Sequence, residues 1–248
     1  MANILDRYGI KEVADVTFYE LNDKGEPTVP VLYLDTLKVS TIEQTAENAE
    51  ARGGKGNPAL ISWDYGKEIS VTLEDALYSP KSLALMFGDV DGIDQDNAET
   101  ELLKTVRYAD AKATENDKEY EVTVNNTKIT LTGCELYDEA GKVATADKAV
   151  YVTGTFKPAK SMVIDVSANA FPGNYYVTGD TYARSETTGK DEFFQFIIPK
   201  AKVLSESNTI TLEAEGDPTV FSMNLKVLRP KSGPMMKLVQ YGITVDAE

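Results

Sequence analysis

The amino-acid sequence predicts a mainly β protein, a β-sandwich or barrel carrying a short packed α-helix. Three observations predict it. Apolar and polar residues alternate with a period of two through much of the chain, the pattern of strands with one dry and one wet face. Clusters of Gly, Asn, Asp and Pro punctuate those stretches where turns need them. One segment reads as a compact helix with both ends marked, opened by Ser79-Pro80 and stopped by Gly88. With 248 residues, 42% hydrophobic and 26% charged, the chain has the length and composition to bury a substantial core.

Taken in order, Val29, Val31 and Tyr33, and then residues 37–39, read as extended after a turn at Asn22-Asp23-Lys24-Gly25. Residues 41–58 are rich in Glu, Ala, Asn and Gly and read as a long mobile loop with a helical turn near 42–51. The glycines of Arg52-Gly53-Gly54-Lys55-Gly56 lack the spacing and the Lys-Ser/Thr ending of a phosphate cradle. The clearest strand pair spans 59–77. Ile69, Val71 and Leu73 point one way, Glu68, Ser70, Thr72 and Glu74 the other, and Tyr65-Gly66-Lys67 supplies the reversal. The helix follows, its apolar run from Leu83 to Phe87 expected on the dry side of that sheet.

Four aspartates then gather in residues 89–96. A calcium loop turning at Gly92 would put Phe87 first and Ala98 twelfth, neither a side-chain ligand, so an irregular calcium site is the lesser alternative to a solvated linker. The linker continues as a polar, partly helical stretch to Lys118. A hairpin follows: Tyr120, Val122 and Val124 lead into Asn125-Asn126, and Ile129 and Leu131 lead out. After a turn at 139–142, Val150 and Val152, and then Met162, Ile164 and Val166, continue the strand pattern up to Pro172-Gly173-Asn174. Three further strands centre on 193–198, on Ile210 and Leu212, and on Phe221, Met223, Leu225 and Val227. No fixed repeat appears. The expected organisation is one β domain from 1–92 and 161–248, with 93–160 as an inserted hairpin subdomain.

Charge and residue usage narrow the function. Forty acidic against 25 basic residues give a net charge of -15, a poor match for a nucleic-acid or anionic lipid surface. The absence of histidine removes Ser-His-Asp and Cys-His catalysis and histidine zinc sites. Cys134 is alone, so no intrachain disulfide forms; beside Gly133 it reads as a small packed residue in a protein of a reducing compartment. Residues 1–13 have no signal-peptide apolar run, and no stretch approaches the ~18 apolar residues of a membrane span. No segment places a carboxylate on an apolar face, so no catalytic, cofactor or metal residue is assigned and an enzyme is not expected. Trp63 with Tyr65, and Tyr175 with Tyr176, offer stacking faces for a sugar, the basis of a glycan-binding alternative.

Two blocks carry a resemblance. Ile61-Ser62-Trp63-Asp64-Tyr65-Gly66-Lys67-Glu68 running into Leu77-Tyr78-Ser79-Pro80-Lys81-Ser82-Leu83-Ala84 is one; Phe194-Gln195-Phe196-Ile197-Ile198-Pro199-Lys200-Ala201-Lys202-Val203 with Ile210-Thr211-Leu212-Glu213 and Val220-Phe221-Ser222-Met223 is the other. Over roughly 59–88 and 171–230 the chain resembles the tail tube proteins of long-tailed bacteriophages; the region between departs from the shortest members. The resemblance implies a tail-tube-like fold and a virion structural protein. Its copies form hexameric rings, with their sheets joined edge to edge into an inner β-barrel. The rings stack into a conduit for DNA ejection. It further implies assembly in the host cytoplasm, contacts with other phage tail proteins, transient non-specific passage of DNA, no cofactor and no membrane. Carboxylates and hydroxyls would keep such a bore slippery, so Glu68, Ser70, Thr72 and Glu74 are the candidate lumen-facing residues. Glu47, Arg52, Lys55 and Asn57 are the candidate inter-ring contacts. The alternatives are a capsid decoration or other head or tail β-sandwich, and the glycan-binding module.

Overall fold

The computed structural model describes residues 7–88, 93–94, 100–116, 118–206, 208–210 and 219–242. The chain is mainly β and divides into two compact units, Met1–Ile93 with Ile164–Glu248, and Asp94–Val163. It opens with β1 (Tyr8–Ile10), β2 (Asp15–Leu21), β3 (Pro27–Leu34), β4 (Leu37–Arg52), β5 (Ala59–Asp75) and α1 (Pro80–Phe87). The middle holds β6 (Ile93–Asp94), β7 (Leu102–Arg107), β8 (Ala111–Ala113), β9 (Tyr120–Val124), β10 (Thr127–Tyr137), β11 (Tyr151–Phe156) and β12 (Val163–Ile164). The last part carries β13 (Asn174–Ser185), β14 (Asp191–Val203), β15 (Thr209–Ile210), β16 (Phe221–Val227) and β17 (Lys237–Tyr241). Among the described residues β6 and β12 form a two-stranded pair of their own.

The first unit is an antiparallel sheet in the order β3-β2-β13-β14-β16-β5-β4. Its outermost strands, β3 and β4, are joined by residues 35–36 alone. Laid flat, seven strands at ~4.8 Å spacing would hold those strands about 29 Å apart. Three Cα steps reach at most about 11 Å. The sheet is therefore rolled around an interior. Val16 and Phe18 of β2, Leu32 and Leu34 of β3, Ile69, Val71 and Leu73 of β5, Val177 of β13, Ile198 and Val203 of β14, and Met223 and Leu225 of β16 fill the interior. Each fully buried side chain of this size contributes about 1.5–3 kcal/mol.

Helix α1 adds Leu85 and Met86 to the same core. Its ends carry the predicted chemistry. The Ser79 hydroxyl accepts from the Ser82 amide at 3.0 Å, and the Ser82 hydroxyl accepts from the Ser79 amide at 2.9 Å. Pro80 occupies the first turn, and Gly88 closes the helix at φ +94°. At that same C-terminal end Asn208 donates to the Met86 carbonyl at 2.6 Å. We expect Ser79→Ala to lower the unfolding free energy by about 1 kcal/mol. Urea denaturation checks this, and an unchanged midpoint would show that the reciprocal caps contribute nothing.

Four sequence expectations are corrected. Residues 41–58 are not a loop with a helical turn: most of the segment is β4, paired with β5 from Leu37↔Asp75 to Arg52↔Ala59. Residues 41–50 are exposed on both faces, so no buried face imposes an apolar alternation and the strand leaves no periodic signal. Tyr65-Gly66-Lys67 does not reverse the chain either. β5 runs through it, with Thr45 opposite Glu68 and Glu47 opposite Tyr65, so that Ala46 alone faces Gly66 and Lys67. This is a β-bulge, and Gly66 takes its φ of +64°. The reversal lies at residues 53–58, where the Gly53 amide donates to the Pro58 carbonyl. Finally, residues 102–113 form β7, a 3-10 turn at Tyr108–Asp110 and β8 in place of a helical stretch. The expected Met162-to-Val166 strand is reduced to β12. The aspartate-rich stretch 89–96 falls outside the described residues apart from Ile93 and the backbone of Asp94.

The second unit repeats the rolling principle. Its order is β7-β11-β10-β9-β8, and the two outer strands are joined by the three residues of that 3-10 turn. Tyr120, Val122, Leu131, Cys134 and Val152 form its core. The predicted hairpin between β9 and β10 turns on Asn125 and Asn126, at φ 48° and 63°. Cys134 is packed, as read from sequence, and burial pushes its thiol pKa up. A Cβ on Gly154 would stand 2.4 Å from its sulfur, so the neighbouring strand approaches this closely only through glycine.

Candidate functional site

The candidate lumen row lies on β5 as the alternation predicts. Ile69, Val71 and Leu73 are buried, Ser70, Thr72 and Glu74 are half-buried on the opposite face, and Glu68 is exposed. Directly paired residues share a face, which brings in two neighbours that sequence reading did not assign to a site. Ser222, Asn224 and Lys226 of β16 stand opposite Glu74, Thr72 and Ser70. Thr41, Glu43 and Thr45 of β4 stand opposite Thr72, Ser70 and Glu68. The Thr72 hydroxyl donates to the Asn224 carboxamide oxygen at 2.8 Å, and the Lys226 ammonium meets Glu68 at 2.8 Å in an exposed ion pair. The result is a three-strand wall of hydroxyls, amides and carboxylates. The alternation of Ser222, Asn224 and Lys226 was the available signal for the β16 part.

The candidate inter-ring residues lie on the outer part of the β4–β5 hairpin. Glu47 and Arg52 are strand residues opposite Tyr65 and Ala59, while Lys55 and Asn57 sit at the tip, Asn57 at φ 50°. Above the bulge this arm has two different faces. Asn48, Glu50, Ser62 and Asp64 make the polar one, held by hydrogen bonds from the Asn48 carboxamide to Ser62 and, at 2.8 Å, to Asp64. Arg52 folds back on Glu50 at 2.5 Å. The other face carries Ala49, Ala51, Ile61, Trp63 and Tyr65, with Glu47 opposite Tyr65 at its base; Ile61, Trp63 and Tyr65 are each more than half exposed. An exposed contiguous apolar face marks an interaction surface. Tyr175 and Tyr176, the other aromatic pair, do not form a joint platform. Tyr175 is buried edge-to-face against Phe18, and Tyr176 packs against Tyr19.

A third feature was not legible in sequence. β13 and β14 each carry two partners in series along one edge. β13 pairs with β2 through residues 175–180 and then with β1 through residues 183–185. β14 pairs with β17 through 193–197 and with β16 through 201–203. At the Arg184–Asp191 end the sheet is thus four strands wide, β17-β14-β13-β1, and among the described residues neither β17 nor β1 has a second partner. A row of rings, Tyr182, Phe193 and Tyr241, crosses three of these strands at centroid distances of 5.2 and 5.3 Å. Arg184 grips Asp191 with two hydrogen bonds of 2.6 and 2.7 Å and thereby holds the Asp191 carboxyl below the usual range.

The model of the YomU/Tube protein family matches residues 8–240. The chain belongs to the YomU/Tube protein family. No curated protein matches it. The span of the YomU/Tube match runs from the first strand into the last and takes in the arm, the polar wall and both outer strands of the four-stranded end. Residues 93–160, which the resemblance left aside, also lie inside it.

Proposed function

We propose that this YomU/Tube family member is the tail tube protein of a long-tailed bacteriophage, a virion structural protein rather than an enzyme. Copies close into hexameric rings that stack into the conduit for DNA ejection. The observation that carries this reading, beside family membership, is the four-stranded end, whose outer strands β1 and β17 have no second partner among the described residues. A row of unpaired amides and carbonyls is a template for pairing, and a head-to-tail contact of β1 with a neighbour's β17 closes into a ring when its rotation permits. Assembly takes place in the host cytoplasm, and other tail proteins meet the ends of the tube.

Glu68, Ser70, Thr72 and Glu74 face the bore in this proposal. They share the outward face of the sheet with Asp180 and Gln195, because Ser70 pairs with Lys226, which pairs with Lys202 on the outward side of β14. Glu68 offsets the Lys226 charge, so the wall offers sliding phosphates no strong hold. Glu47, Arg52, Lys55 and Asn57 on the arm make the inter-ring contact.

Negative-stain microscopy of concentrated purified protein tests the tube: hollow rods of uniform width are expected, whereas a capsid decoration or glycan-binding module stays as discrete particles. For the bore, Glu68→Lys with Glu74→Lys should leave rods intact and slow DNA ejection, since Glu68→Lys also leaves Lys226 facing a second cation. Ejection at the unaltered rate would remove these residues from the lumen.

A further inference from the structure

We propose that the apolar face of the arm is a plug for a groove on a second copy of this chain, with Trp63 as its anchor. The inference rests on the tube reading and names the contact that the arm makes within it. The groove, about 340 Å³, lies in the first unit and is lined by Ile10, Val13, Val39, Ile42, Phe194 and Phe196. Phe196 is buried at its floor, whereas Ile10, Val13, Val39 and Ile42 are 37–53% exposed. An open apolar groove and an apolar ribbon left in water on the same unit are each unfavourable alone.

Reach decides that the plug comes from another copy. Ile42 belongs to the groove and stands on the same strand as Ala49, the partner of Trp63. Seven residues of extended strand place Trp63 about 23 Å from the groove at its own base. The continuous β4–β5 ladder holds it there, so the arm cannot fold back without breaking the pairing. Charge agrees. Lys11 and Lys38 against Glu12 leave the groove rim with an excess positive charge. On the plug face of the arm the charged residue is Glu47, opposite Tyr65, and it is acidic. The contact is heterologous, because each copy offers a plug at one place and a socket at another. It therefore propagates from copy to copy.

The single tryptophan makes the test direct. On assembly, Trp63 emission should shift to the blue and iodide quenching should fall severalfold. Trp63→Ala, and separately Ile42→Asp in the socket, should raise the concentration needed for assembly about thirtyfold or more, the size of an anchor-residue loss. Each should leave the thermal midpoint of the monomer unchanged. Mixing a Trp63→Cys copy with an Ile42→Cys copy under oxidation should give a disulfide-linked heterodimer, since Cys134 is buried. Rods in which Trp63 stays open to iodide would overturn the plug and leave the tube reading standing. Protein that never forms rods yet yields the heterodimer would retain the plug and sink the tube. Absence of the heterodimer in concentrated protein overturns the plug in either case.

Discussion

Replacing Gly88 with alanine is expected to lower the unfolding free energy by about 2–4 kcal/mol, the larger of the stability effects considered. Two causes combine at this position. The residue closes α1 in the left-handed region at φ +94°, its amide donating to the Ala84 carbonyl at 2.8 Å, and a side chain there is strained whatever the space. There is also no space. A Cβ would stand 2.7 Å from the Phe171 Cα, 2.8 Å from its carbonyl carbon and 2.9 Å from the Ala170 oxygen, all backbone atoms without rotamers to yield. Gly9→Ala is the control, since nothing lies within 4 Å of a Cβ there and its φ is not positive. Guanidinium denaturation of both variants decides the matter. If Gly88→Ala lies within about 0.5 kcal/mol of the parent, the packing of the 170–171 backbone on the helix end is not as described.

Excising residues 47–65, which joins Ala46 to Gly66, is expected to abolish rod formation while leaving a folded monomer. The monomer should survive because none of the removed residues belongs to the core, and because the cut falls at the bulge. Thr45 and Glu68 already face each other there, leaving Ala46, Gly66 and Lys67 as a three-residue connection with glycine at the positive φ. Rods should fail because the variant loses both the candidate inter-ring residues and the exposed Ile61, Trp63 and Tyr65. Sedimentation velocity and negative-stain images of the excised protein are the measurements. A thermal midpoint close to the parent's with particles no larger than a monomer or a single ring is the expected pair of results. Rods of ordinary length would show that the arm is not an assembly element.

Where a strand has one buried face, its sequence shows it. Ile69, Val71 and Leu73 alternate with Ser70, Thr72 and Glu74 because the rolled sheet covers one side of β5 and leaves the other wet. The same reasoning made α1 readable, since Ser79, Pro80 and Gly88 act locally on backbone groups within one turn of themselves. The outer half of β4 shows the opposite case. From Thr41 to Glu50 both faces meet water in the monomer, so Glu, Ala and Asn are as acceptable there as in a loop. Gly66 misled for a related reason: a glycine at positive φ serves a bulge as well as a turn, and the residues opposite decide which.

The four lumen candidates were legible as a row, but the wall they belong to was not. Thr72 meets Asn224 across 152 positions of sequence, and Lys226 reaches Glu68 across 158. Such pairings carry no local signal. Composition, alternation and turn chemistry were sufficient for the mainly β class, the helix, the two-faced character of β5 and the inert packing of Cys134, because each depends on whether a residue and its near neighbours meet water or a backbone group. Strand order, the rolling forced by the short links at 35–36 and 108–110, the arm, and the outer positions of β1 and β17 arise from long-range hydrogen bonding and shared burial. Those are properties of the assembled sheet that no single segment contains.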